Sequence, residues 1–251
     1  LLSVIFKSFY MASFSENTFG SRIANAEAIS THLKSFTGFV APTTETSIAS
    51  IDNLIASLKT DNSGIATKKL AYSTAVDIRA KQFFKTPDSV EKLLSPITAA
   101  VKAKLGKTSK PATDIAALAV KIRGEKKKKD DTPPVEGTEG EKKEPVSQSE
   151  RSYGSMTQHF ADIIATVTAL DKDYAPANTN INVDALTTKI DTIKTANNNV
   201  TATYGALKTS VDSRQNQYDD LSSRIQRVKD AVKSQYGVGS TEYKLIKGLK
   251  V

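Results

Sequence analysis

Few side chains in this sequence have types and spacings that suggest chemistry. There are two histidines, His32 and His159, and no cysteine. Each histidine is the only one in its helical stretch; Asp162 follows His159 by three residues, but neither histidine has the second His and further carboxylate of a metal set, so both read as ordinary helix-face residues. The lack of cysteine excludes disulfides and thiolate metal sites. No Gly-rich phosphate loop, no Ser-His-Asp or Cys-His set and no helix-borne Glu-x-x-His is present. An enzyme built from this chain would have to work with Asp, Glu, Lys, Tyr and Arg, and no constellation of these stands out. The sequence therefore assigns no catalytic, cofactor-binding or metal residue, expects no cofactor and identifies no small-molecule substrate.

The most specific polar signature is V-D-x-R-x-x-Q-[FY], found at Val76–Phe83 and again at Val211–Tyr218. It lies within two stretches of heptad character. Over Val183–Val232, positions at alternating three- and four-residue steps read Val183, Leu186, Ile190, Ile193, Asn197, Val200, Tyr204, Leu207, Val211, Arg214, Tyr218, Leu221, Ile225, Val228 and Val232. This is the pattern of a helix with one narrow buried seam, of coiled-coil type. Arg79 and Arg214 fall on the seam, where an apolar residue is expected, as do Asn62 and Asn197. Asp77 and Asp212 lie two residues before their arginines and point away from them. Each arginine thus needs an acceptor from another helix or an exit to solvent along its stem. The four residues are read as a structural polar seam that sets register, the best-attested role of such groups. The competing reading is an anion or ligand site between helices.

These residues need long helices to place them. The first helix is expected over about Ser15–Ser35, with Thr37-Gly38 ending it and Ala41-Pro42 forcing an extended turn. A second begins near Thr44 and is marked by Ile48, Ile51, Ile55, Leu58, Ile65, Tyr72, Val76 and Phe83, with a candidate interruption at Asp61–Gly64. Lys85-Thr86-Pro87-Asp88 is a stronger break, since proline cannot continue a helix and Asp88 can cap the next one. A helix through Val90, Leu94, Ile97, Val101 and Leu105 follows, and a shorter one from Pro111 to Gly124.

The second half repeats the first. Phe19-Gly20-Ser21 matches Tyr153-Gly154-Ser155 and Ala41-Pro42 matches Ala175-Pro176 at an offset of 134. Lys59-Thr60, Asn62 and the arginine signature match at 135; Val101-Lys102, Gly106 and Ser109 match Val232-Lys233, Gly237 and Ser240 at 131. The change in offset gives the first copy four extra residues, about one helical turn, around its proline break. The second copy lacks that proline, so its helix is expected to run on with at most a kink near Asp219-Asp220. Such matches argue for duplication. A long helix of roughly 40 residues, about 60 Å, in each half would be covered only in part by its own neighbours. The expected arrangement packs the two halves on each other as a pseudo-twofold bundle; two separate bundles are the alternative.

The expected organisation is an N-terminal extension (1–12), a first helical repeat (13–123), a disordered charged linker (124–150) and a second repeat (151–251). The first ten residues, LLSVIFKSFY, are too short for a membrane span and lack the features of a signal peptide, whereas Met11-Ala12-Ser13 resembles a natural start. The linker is rich in Lys, Glu, Pro and Gly and too poor in apolar residues to offset its ordering entropy. Net charge is +8. Residues 1–123 carry +7, 124–150 carry −2 and 151–251 carry +3. Lys126–Lys129 is followed at once by Asp130-Asp131, which cancels the field within a Debye length and counts against nucleic acid.

Several stretches together resemble an uncharacterised family of bacterial all-helical proteins with two related halves. They are Pro145-Val146-Ser147-Gln148 with Ser152-Tyr153; Tyr174-Ala175-Pro176; Val232-Lys233 through Tyr236-Gly237; Ser240; Tyr243-Lys244; and Gly248-Leu249-Lys250. Lys121-Ile122-Arg123-Gly124 resembles the family's half-end, and the resemblance covers most of residues 13–251. Ala177-Asn178 stands where Asn-Glu is usual, and the second proline break is missing. The resemblance implies an all-α fold and a bacterial cytosolic setting, and transfers no activity. The resulting expectation is a non-enzymatic structural or interaction protein acting through a protein partner or self-association. The alternative is a binding module for an acidic ligand, nucleic acid or membrane surface through the basic first half.

Overall fold

The computed structural model describes residues 18–124 and 152–251. The expected extension at 1–12 and, apart from Gly124, the expected linker at 124–150 lie outside the described residues. Among the described residues all regular structure is helical: α1 (Phe19–Ser35), α2 (Ile48–Ala80), α3 (Val90–Leu105), α4 (Lys110–Arg123), α5 (Tyr153–Ala169), α6 (Val183–Tyr236) and α7 (Thr241–Ile246). The protein is an all-α helical bundle.

Local chemistry explains most boundaries. Thr18 caps α1 and Ser152 caps α5, each hydroxyl accepting from the backbone N–H three residues on, at 3.2 and 3.0 Å. Pro111 sits in the first turn of α4, where its missing N–H costs nothing. Gly106 and Gly237 end α3 and α6 at φ 88° and 94°, a region that penalises a side chain.

Two expectations change, and the expected break at Lys85–Asp88 is present with an added detail. Asp61–Gly64 does not interrupt α2, which is helical throughout. The buried Leu58 and Ile65 on either side hold the segment against its poor propensity. The Pro87 break is preceded by a π-helical turn at Lys81–Lys85, which carries Phe83 into the core. Asp88 does not cap α3. Ser89 occupies that position, and Asp88 instead holds the buried Lys189 of α6 at 2.8 Å, with Gln82 Oε1 as the second acceptor at 2.8 Å. In the second half no break occurs: α6 is one helix of 54 residues.

Backbone packing divides the chain into two compact units. Among the described residues, one comprises 18–70 together with 205–251; the other comprises 71–124 and 152–204. Neither coincides with one of the two expected repeats. In the first unit Ile29 and Leu33 of α1 and Ile51 and Leu58 of α2 pack with Tyr218, Leu221, Ile225 and Val232 of α6 and Ile246 of α7. In the second, Phe83, Leu94, Ile97, Ile115 and Ile122 pack with Phe160, Ile163, Val167, Leu186 and Ile193. Each core thus joins the start of one half to the end of the other. Burial recurs at the sequence offsets. Ile51 and Leu186, Ile55 and Ile190, Leu58 and Ile193, and Ile65 and Val200 are all buried, as are Val90 and Leu221, Leu94 and Ile225, and Val101 and Val232.

The Asp88–Lys189 pair gives a first prediction. Lys189 is 8 % exposed at its side chain and Asp88 65 %. The Lys189 ammonium, together with the Thr86 hydroxyl, holds the Asp88 carboxyl below its ordinary value. Its contribution to stability is therefore present above the normal carboxylate pKa and lost as pH falls through the lowered one. Asp88→Asn should cost about 1–2 kcal/mol at pH 7, a value discounted for the exposure of Asp88, and the difference from the parent should shrink on acidification. Lys189→Met, which removes the buried charge itself, should cost less. Urea titrations at pH 7 and pH 3 check both.

Candidate functional site

The four seam residues fall into the two units, Asn62 and Arg214 in one and Arg79 and Asn197 in the other. In the first unit α1 brings the Phe19 ring beneath the Arg214 guanidinium, whose Cζ lies 4.1 Å from the ring centroid. Arg214 donates to Asn62 Oδ1 at 3.2 Å, and Asn62 Nδ2 donates to the Tyr218 hydroxyl at 3.0 Å. That hydroxyl donates in turn to the Phe19 carbonyl at 3.0 Å, fastening the start of α1. The Phe19 and Tyr218 rings lie 4.7 Å apart, and Arg22 closes the far side, 4.6 Å over the Tyr218 ring and bonded to its carbonyl.

In the second unit Arg79 lies 3.9 Å over the Tyr153 ring, and Phe83 meets the same ring edge-on at 4.9 Å. Asn197 Nδ2 donates to Thr157 Oγ1 at 2.9 Å. The fold therefore brings Asn62 to Arg214 by a hydrogen bond. Arg79 and Asn197 share no such bond, and Asn197 Oδ1 is sealed from solvent without a partner. The Nε atoms of both arginines are likewise buried and unbonded. Each guanidinium is held chiefly by its face, which suits arginine's planar, weakly hydrated head.

The signature's other members are placed as their spacing implied. Asp77 turns away from Arg79 to Lys81 and Lys85, at 2.7 and 3.2 Å, and these ammonium groups lower its pKa. Asp212 pairs with Lys208. Gln217 bonds Asp61 at 2.5 Å, whereas Gln82 serves Lys189.

Sequence reading missed four participants: Tyr218 as a hydroxyl donor, Thr157, Arg22 and Lys189. The first was legible only as a seam aromatic. The other three become visible only when the partner helix is known, because their spacing carries no signal of its own. A second polar group went unnoticed on the same helix. Arg224 bonds Asp220, the Glu45 carbonyl and Ser50, while Arg227 reaches Glu45 and Thr43. The Asp220 carboxylate raises the Arg224 pKa against the opposing effect of burial. These contacts pin the short 3₁₀ turn Thr44–Thr46 to α6.

His159 is buried on α5 and His32 half-buried on α1. Among the described residues no group of three or more His, Asp or Glu is placed to hold a metal ion. None of the described helices is long and apolar enough to cross a membrane. An open groove of about 460 Å³ in the second unit is lined by Ile78, Gln82, Thr188, Thr192, Ala196 and Asn199, among others. Comparison with protein-family models, with curated proteins and with solved structures finds no match to the chain.

Proposed function

We propose that this chain is a non-enzymatic helical interaction protein, built from a duplicated half, whose Arg–Asn seam sets the pairing of its helices rather than binding a ligand. The observation that carries this reading is how each guanidinium is occupied. Arg214 and Arg79 lie against rings contributed by the chain's other half, and their Nε atoms are closed off from solvent. An anion site would keep those donors open to an incoming group. Shared caps and shared burial at the offsets of 134, 135 and 131 support the duplication. The helices so fixed present long polar faces, on which Leu70, Ile78 and Tyr204 are 68 %, 46 % and 52 % exposed. Such faces suit a protein partner or a second copy, in the bacterial cytosolic setting that we propose on the family resemblance alone.

Cross-linking of the full chain in its native cell tests the role. One defined protein, or the chain itself, should be captured, and Leu70→Glu or Tyr204→Glu should abolish that capture while the fold persists. Capture unaltered by either change, or none at all, would contradict the proposal. The seam makes a separate prediction. Arg214→Leu should leave stability within about 1 kcal/mol of the parent, since the stacking and the bond to Asn62 that it loses are offset by removal of the buried, unbonded Nε. Arg214→Lys should cost more, about 1–2 kcal/mol, because an ammonium cannot stack as a plane. Thermal denaturation compares them.

One observation favours the acidic-ligand alternative. α3, α4 and the turn between them carry Lys92, Lys102, Lys104, Lys107, Lys110, Lys121 and Arg123 against Glu91 and Asp114. An isotherm with duplex DNA or anionic vesicles at two salt concentrations decides it. Binding that falls steeply with salt supports that alternative, and no binding at low salt ends it.

A further inference from the structure

We infer that the two halves of this chain recognise each other through a matched polar code, and that the code selects the other half over a second copy of the same half. The inference rests on the duplication proposed above.

Under that reading each core contains the same three positions. The first lies one turn into the leading helix and is occupied by Ile23 or, in the second half, Thr157. The second is the seam asparagine, Asn62 or Asn197. The third is the aromatic that closes the arginine signature, Phe83 or Tyr218. In the first unit the third position supplies the hydroxyl. Asn62 Nδ2 donates to Tyr218, and the first position is the apolar, buried Ile23. In the second unit the third position is Phe83, which has no hydroxyl, and the hydroxyl comes from the first position instead. Asn197 Nδ2 donates to Thr157 Oγ1. The rings are exchanged in the same sense, with Phe19 on Tyr218 in one unit and Tyr153 on Phe83 in the other. At these positions each core therefore sets one phenylalanine ring against one tyrosine ring and gives the asparagine amide one hydroxyl acceptor.

Self-pairing breaks this balance. Two copies of the first half would combine Ile23, Asn62 and Phe83, leaving the asparagine amide with no acceptor in either core. Two copies of the second half would combine Thr157, Asn197 and Tyr218, which leaves no amide donor unpartnered, so the discrimination comes from the first half, whose self-pair is the one that is penalised. A part-buried donor left without a partner costs more than a made hydrogen bond contributes. This asymmetry rejects wrong partners. Preference for the mixed pair should be on the order of tenfold or more per core.

The full chain with a protease site placed within residues 125–151 tests this. After cleavage, native mass spectrometry should find the two pieces together at one to one. After denaturation and refolding, the mixed pair should dominate. Pieces that separate overturn both the code and the interlocked assembly beneath it; homodimers at their statistical share overturn the code. A second measurement uses the uncut chain. Tyr218→Phe should lower the melting temperature by about 2–4 °C. Ile23→Thr should cost distinctly less in the Tyr218→Phe background than in the parent, because it restores the arrangement that Thr157 provides. Equal costs in the two backgrounds, with the cleaved pieces still paired, overturn the code and leave the duplication standing.

Discussion

Phe83→Ala is expected to lower the unfolding free energy by about 3–5 kcal/mol, the range for removing a fully buried aromatic. Phe83 is 0 % exposed. It lies in the π-helical turn, where the chain is about to leave α2, so its surroundings cannot slide along a regular helix to fill the void. Its ring meets Tyr153 edge-on at 4.9 Å and Phe84 at 6.0 Å. Truncation removes the transfer term, opens a cavity and releases the Tyr153 ring on which Arg79 rests. Phe83→Leu should recover most of the loss, since it restores most of the volume. Urea unfolding followed by circular dichroism at 222 nm reads both variants. A cost for Phe83→Ala below about 1 kcal/mol, the level of a surface change, would mean that this ring is not in the core.

The largest effect on a single helix should come from Asp219→Pro. α6 runs from Val183 to Tyr236 without a break, and Asp219 directly follows the fully buried Tyr218. Proline there removes one hydrogen bond of the helix and drives its ring against the carbonyl one turn back, at about 3 kcal/mol or more. The first half shows how such a break is accommodated. Phe83 and Val90 are both buried, seven residues apart; their counterparts Tyr218 and Leu221 are both buried only three apart. The four-residue difference is close to one turn of helix, so the seam keeps its register on both sides. Inserting Lys-Thr-Pro-Asp after Tyr218 should therefore cost less than the single proline, although it changes more residues. If the insertion is the more damaging of the two, the turn-for-turn account of the break is wrong.

The sequence made the helices legible because their seams are regular. The ladder from Val183 predicted the burial of Leu186, Ile190, Ile193, Val200, Tyr218, Leu221, Ile225, Val228 and Val232, all of which are in the cores. It failed at Tyr204, which is 52 % exposed, because a heptad pattern tells which face a residue occupies but not where the covering helix stops. Asp61–Gly64 was misread as a candidate interruption for a related reason. Propensity is a local quantity, and the burial that overrides it is not: Leu58 packs in one core with Ile29 and Leu33 of α1 and with Tyr218 and Leu221 of α6. The seam arginines were visible as polar intrusions, whereas the rings that receive them were not. Phe19 and Tyr153 look like ordinary first-turn aromatics until each is set against the other half.

Selective aromatic labelling with nuclear Overhauser measurements tests the central claim, that each core joins the start of one half to the end of the other. Cross-peaks are expected between the rings of Phe19 and Tyr218, whose centroids are 4.7 Å apart, and between those of Tyr153 and Phe83 at 4.9 Å. Cross-peaks pairing Phe19 with Phe83 and Tyr153 with Tyr218 would show instead that each half closes on itself, and would contradict the account.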